Sequence, residues 1–88
     1  MDLLPWDALD LVGDVLTYGI AKYPEPSENW RVNSSEEDIK RYKAAMIRHY
    51  SSMMQGELID PESKLPHMAH IATNSLFILA LEKKYGII

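Results

Sequence analysis

The sequence predicts an all-α fold, a small bundle of three main helices completed by oligomerisation, in one domain over residues 1–88. In three stretches, apolar residues recur at spacings of three and four, the period of an amphipathic helix. No segment shows the alternation that is typical of a strand. A chain of this length buries only about 60% of its unfolded surface. Its own core is therefore marginal, and association between copies would relieve that.

The first helix is expected from Pro5 to about Tyr23. Proline suits a first helical turn because its missing N–H would have no intrahelical partner there. A loop with two prolines follows. Within it, Trp30 either folds over the core or offers a stacking face to a nucleobase, with Asn29 as a hydrogen-bonding neighbour. The expected inner stripe of the first helix is Leu9, Val12, Leu16 and Ile20.

The second helix is predicted from a cap at Ser34 or Ser35 to about Gln55, with Gly56 ending it. Arg41 and Arg48 lie two turns apart on nearly the same side of this helix. Each can be a solvated or ion-paired residue, or the two together can clamp a phosphate. The expected inner stripe comprises Ile39, Tyr42, Ala45, Met46, His49 or Tyr50, and Met53.

Asp60 is expected to cap one helical turn that begins at Pro61, before a third helix from Pro66 to about Tyr85 that Gly86 ends. The apolar positions of this third helix cover more than one of its sides, so a single neighbouring helix cannot bury them all. A subunit interface would cover the remainder. We therefore expect a homodimer or a homotetramer.

Composition excludes several classes of protein. The net charge of −4 argues against charge-driven binding to a nucleic acid polymer. No apolar run is long enough to span a bilayer, and no basic and apolar leader opens the chain, so a cytoplasmic protein without a membrane partner is expected. The absence of cysteine excludes thiolate chemistry. Neither a glycine-rich phosphate loop nor an HExxH string is present.

The chemistry-bearing residues concentrate between positions 57 and 70. Carboxylates and imidazoles there can hold one or two divalent cations, which would bridge phosphate oxygens and turn a bound water into a nucleophile. A hydrogen-bonded structural role is the alternative for either histidine. The candidates are Glu57, Asp60, Glu62, His67 and His70.

Five strings carry a family resemblance, in order over nearly the whole chain. They are LLPWDAL (3–9), YGIAKY (18–23), NWR (29–31), RYKAAMIRH (41–49) and GELIDPESKLPHMAH (56–70). The chain resembles the phage-encoded dATP/dGTP diphosphohydrolase family. That resemblance implies a fold akin to the MazG-like all-α nucleotide pyrophosphohydrolases and a Mg²⁺ or Mn²⁺ site. It also implies hydrolysis of a purine deoxynucleoside triphosphate to monophosphate and pyrophosphate, in the host cytoplasm.

The resemblance also implies roles for individual residues. Glu57, Asp60 and Glu62 would be catalytic metal ligands, with His67 and His70 joining them or lying around them. Three departures are notable: Pro24 and Lys64 each replace a glycine of the family pattern, and the charged lead-in expected before LLP is missing from this sequence. The missing lead-in and the interface-prone third helix keep open a nucleotide-binding protein without catalysis, such as a phage sponge for a nucleotide signal. The implied substrate-binding residues are Lys22, Asn29, Trp30, Arg41, Arg48 and His49.

Overall fold

The computed structural model describes residues 3–22 and 35–88, and of Lys22 only the backbone. It contains three helices, α1 (Trp6–Lys22), α2 (Glu37–Met54) and α3 (His67–Lys84), which confirms the all-α prediction. Helix α3 is central, because α2 packs along it extensively and α1 packs on it as well. Two helical neighbours explain why its buried residues extend over more than one side. In the described ranges no helix is long and apolar enough to cross a membrane.

The core lies between α2 and α3. Leu81 is its most deeply buried side chain, with 1% of its surface exposed. The rings of Tyr42 and Phe77 pack against each other at a tilt, with their centroids 5.1 Å apart. The core cluster consists of Ile39, Tyr42, Ile78 and Leu81, and Met46 and Phe77 pack against it.

The expected inner stripe of α1 is partly wrong. Leu16 and Ile20 are exposed, whereas Val15, which was not in the stripe, is buried. The cause is tertiary, since among the described helices α1 contacts only α3 and turns toward it a face centred on Val15. On α2 the open choice is resolved: His49 is half-buried and Tyr50 is exposed.

A hydrogen bond from the backbone to a carboxylate closes the start of α2. The Asp38 carboxylate accepts a hydrogen bond from the backbone N–H of Ser35 at 2.7 Å, three residues before it. This bond, together with the neighbouring Arg41 guanidinium, holds the pKa of Asp38 below its usual value, although burial acts in the opposite direction. The N-cap position is Glu36, one residue after the predicted Ser35, and no side chain makes a capping hydrogen bond there.

The segment between α2 and α3 is a compact loop, in which Asp60 caps a single turn that begins at Pro61, as expected. The Lys64 N–H donates to the Asp60 carbonyl at 2.8 Å, and the Asp60 N–H donates to the Leu65 carbonyl at 2.9 Å. A single β-bridge pairs Ile59 with Pro66. The chain therefore doubles back on itself, which places the first turn of α3 beside the residues that leave α2.

Lys64 closes this loop in a conformation that L-residues avoid, with φ at +66°. The family pattern has glycine at this place, and glycine adopts positive φ without steric cost. We expect Lys64→Gly to raise the free energy of unfolding by about 0.5–1 kcal/mol, after allowing for the added freedom of the unfolded chain. Chemical denaturation measures this. Lys64→Ala, which removes the side chain but keeps the strain, should give no comparable gain.

Candidate functional site

Three histidines meet where the end of α2 lies against the start of α3. His67 and His70 lie three residues apart on α3 and are both buried, and His49 reaches them from α2. The rings of His49 and His70 stack face to face, with centroids 4.4 Å apart and planes 3° from parallel. The His49 and His67 rings are tilted, with centroids 5.1 Å apart.

The first arm of the cluster links Glu57 to His49 through His67. Nε2 of His67 lies 2.7 Å from Oε1 of Glu57, and Nδ1 of His67 lies 2.8 Å from Nδ1 of His49. The His67 side chain is 3% exposed, while that of Glu57 is 49% exposed. The buried imidazole thus connects a carboxylate that contacts solvent with a second imidazole.

The second arm links Asp60 to His70 through Ser63. The Ser63 hydroxyl donates to Oδ2 of Asp60 at 2.9 Å and lies 2.7 Å from Nε2 of His70. Nε2 of His70 is itself 3.5 Å from Oδ2 of Asp60. Asp60 also accepts the backbone N–H groups of Glu62 and Ser63, so its side chain fixes the turn that carries the other residues.

The surroundings shift two pKa values in the site. Burial raises the pKa of the Asp60 carboxyl, but the hydrogen bonds from Ser63 and Glu62, together with His70, outweigh burial and leave it below its usual value. Burial lowers the pKa of His49, and the neighbouring His70 and His67 lower it further. Asp60 acts in the opposite direction, but the net effect lowers the pKa of His49 and favours its neutral form.

The predicted carboxylates lie in one short segment but have separate partners. Glu57 bonds to His67, Asp60 bonds to Ser63, and Glu62 accepts a hydrogen bond from the Tyr18 hydroxyl at 2.9 Å. Within residues 3–22 and 35–88, no three histidine, aspartate or glutamate side chains form a group that could hold a metal ion. In this arrangement a cation would have to displace existing hydrogen bonds, and the metal role of these residues stays a prediction.

The two arginines of α2 differ in their surroundings. Arg41 pairs with Asp38 at 3.0 Å and lies over the Tyr42 ring. Burial lowers the Arg41 pKa, but the hydrogen bond to Asp38 outweighs it and raises that pKa. Arg48 is exposed and makes no hydrogen bond or ion pair with any described residue. Arg48 is thus the more available cation. The predicted base-binding pair, Asn29 and Trp30, lies outside the described residues, as does the Lys22 side chain.

Sequence reasoning missed two participants. Ser63 joins Asp60 to His70, and its position three residues after a capping aspartate is the one signal that pointed to it. Tyr18 bonds to Glu62 and presents its ring edge-on to His70, with centroids 6.3 Å apart. No local pattern marks Tyr18, because its contacts depend on how α1 packs on α3.

Comparison with known proteins gives one match, to a family model, and two negative results. A family model described as "dATP/dGTP diphosphohydrolase, N-terminal" matches residues 1–87, nearly the whole chain. No curated protein and no solved structure matches it. The family match spans both arms of the histidine cluster as well as the helices that position them.

Proposed function

Since this chain belongs to the dATP/dGTP diphosphohydrolase N-terminal family, we propose that it hydrolyses purine deoxynucleoside triphosphates to monophosphate and pyrophosphate. The observation that supports this most is the histidine cluster. Glu57 and His67, and Ser63 and His70, lie in the last of the five resembling strings. The first pair is hydrogen-bonded in line with His49, and the ring of His70 stacks on the ring of His49. The phage setting, in which the enzyme would serve nucleotide metabolism, is part of the same proposal and is supported by the resemblance.

The proposal includes a divalent cation, Mg²⁺ or Mn²⁺. The support is electrostatic: a triphosphate is strongly anionic, the chain has a net charge of −4, and the site carries three carboxylates. A cation bound to the phosphates would neutralise part of this repulsion. The ligands proposed for it are Glu57, Asp60 and Glu62.

A turnover assay tests the function. The protein is incubated with dATP or dGTP in Mg²⁺ or Mn²⁺, and pyrophosphate and monophosphate are quantified, with EDTA-treated samples and with dCTP and dTTP as comparisons. We expect purine triphosphates to be hydrolysed and EDTA to abolish the reaction. No release from any common triphosphate would overturn the proposal. Tight binding with the nucleotide recovered intact would replace it with the non-catalytic alternative.

Substitution of Arg48 tests whether this residue binds the phosphates of the substrate. Because this exposed guanidinium has no partner among the described residues, it is available to donate to phosphate oxygens. We expect Arg48→Ala to raise KM by roughly tenfold or more, the equivalent of a charge-assisted hydrogen bond of about 1.5–3 kcal/mol. Lys40→Ala removes an exposed cation from the same helix, one with no assigned role, and is the matched control. Equal effects of the Arg48 and Lys40 substitutions would contradict a specific role for Arg48.

We also propose that the protein is a homo-oligomer, a dimer or a tetramer. An apolar groove with a volume of about 460 Å³ lies between α2 and α3. Ile47, Leu76 and Leu79 line it and remain 65%, 47% and 54% exposed. Such a surface is costly to leave in water and suits a second copy of the chain.

Substitution in the groove tests the oligomer. We expect Leu79→Asp to convert the assembly to monomers, because a buried unpaired carboxylate costs several kcal/mol in a subunit interface. Light scattering after size-exclusion chromatography gives the mass. Leu3→Asp adds the same charge at a leucine that is 99% exposed and outside the groove, and it should leave the mass unchanged. A monomeric wild-type protein would contradict the proposal.

A further inference from the structure

We propose that Tyr18 is a positioning residue of the candidate site, which acts from α1 by holding the carboxylate of Glu62 and the turn that carries it. This inference rests on the proposed function, in which Glu62 takes part. The side chains of the two arms come from α2, α3 and the loop between them, whereas Tyr18 lies in α1. The site therefore draws on all three helices.

Glu62 is held at both its backbone and its side chain. Its backbone N–H donates to Oδ1 of Asp60 at 3.2 Å, and Oε1 of its carboxylate accepts the Tyr18 hydroxyl at 2.9 Å. An exposed glutamate otherwise samples many rotamers, and fixing one of them has an entropic cost. The bond to Tyr18 fixes the carboxylate in the folded protein, before any substrate binds.

The same tyrosine contacts the second arm at another point. Its ring lies edge-on to that of His70, with the planes at 87° and the centroids 6.3 Å apart. Ser63 follows Glu62 in the chain, and its hydroxyl lies 2.7 Å from Nε2 of His70. These contacts close a ring that runs from Tyr18 through the turn to His70 and back. A shift of the turn must therefore disturb the second arm.

Exposure indicates that this hydrogen bond orients Glu62 more than it stabilises the fold. Glu62 is exposed and Tyr18 is half-buried, so water can replace the bond when one partner is removed. A hydrogen bond that water can replace contributes little to the free energy of unfolding. Val15, by contrast, is buried on the same helix, and its apolar side chain cannot hydrogen-bond to the loop. Loss of the Tyr18 hydroxyl should affect turnover more than folding, whereas truncation of Val15 should do the reverse.

Relaxation measurements by nuclear magnetic resonance test the positioning without turnover. Tyr18→Phe keeps the ring and removes only the hydroxyl, and it should lower the backbone order parameters of Glu62 and Ser63. Glu62→Ala should lower that of Ser63 in the same way. The double variant should be no more mobile there than either single variant, because each change removes the same bond.

Tyr50→Phe is the matched control for these measurements. It removes a hydroxyl from an exposed tyrosine of α2 that makes no hydrogen bond with a described residue. The order parameters of Glu62 and Ser63 should stay at their wild-type values in this variant. Wild-type values in Tyr18→Phe, or equal losses in the two tyrosine variants, would overturn the inference.

Kinetics test the role in the reaction, at a temperature where all variants are folded. Tyr18→Phe should lower kcat by about three- to tenfold with little change in KM, the rate equivalent of one hydrogen bond. Val15→Ala should lower the melting temperature more than Tyr18→Phe and kcat less. An equal or greater loss of kcat in Val15→Ala would overturn the assignment in favour of a purely structural contact. Wild-type turnover with an unchanged kcat in Tyr18→Phe would overturn the role of Tyr18 alone, whereas a wild-type protein without turnover would overturn the proposed function as well.

Discussion

Leu81→Ala is expected to lower the melting temperature by roughly 8–40 °C. Leu81 is 1% exposed and belongs to a core cluster of four buried residues, so the cavity left by truncation has few other side chains to fill it. Buried leucine-to-alanine changes cost about 2–5 kcal/mol. In a domain of this size each kcal/mol shifts the melting temperature by about 4–8 °C. Because the total stability of such a domain is on the order of 4–13 kcal/mol, this single change removes a large share of it.

Circular dichroism at 222 nm, at fixed protein concentration, measures the effect. Leu58→Ala is the matched control, since it deletes the same atoms from a leucine that is 68% exposed, and it should shift the unfolding free energy by less than about 0.5 kcal/mol. Equal shifts for the two variants would mean that the packing between α2 and α3 is not what stabilises the fold.

The helices were predictable because local chemistry decides where they begin and end. Pro5 precedes α1, and Gly56 and Gly86 follow α2 and α3 with φ values of +97° and +71°, which favour glycine. These signals act within a few residues of the chain. The inward face of α1 was not predictable to the same degree, because it depends on which helix becomes its neighbour, and Val15 took the place expected of Leu16.

Most members of the candidate site were predictable from the sequence, but Ser63, Tyr18 and the pattern of hydrogen bonds were not. The sequence identified both carboxylates and all three histidines of the two arms. It did not indicate that Glu57 bonds to His67 while Asp60 bonds to Ser63, because that choice follows from the loop that doubles back between Asp60 and Leu65. The spacing of residues in the sequence determines which of them share a helix face. The backbone path of a loop determines which side chains on either side of it form hydrogen bonds.

Asp60→Asn is expected to impair both stability and turnover. The carboxylate accepts the Ser63 hydroxyl and two backbone N–H groups, and an amide in its place would turn an N–H donor toward one of these donors. Leaving such a group unsatisfied costs about 1–3 kcal/mol. Because Ser63 then loses its anchor and His70 loses Ser63, the stack under His49 loosens, and we expect kcat to fall at least tenfold. Asp10→Asn, on the exposed surface of α1, is the control and should change neither quantity appreciably.

Asp60→Asn changes the charge of the side chain but hardly its shape. The pH dependence of the difference in unfolding free energy between wild type and Asp60→Asn shows which of the two properties matters. The pKa of Asp60 in the folded protein is below its usual value, so the ionised form is favoured by folding. The stability that it contributes is complete above the pKa of the unfolded chain, near 3.8 for aspartate, and disappears as the pH falls through the folded value. The gap in unfolding free energy between wild type and Asp60→Asn should therefore be constant near pH 6 and shrink below about pH 4. A gap that persists unchanged at pH 2 would mean that the carboxylate acts through packing alone, and that the second arm does not depend on an ionised Asp60.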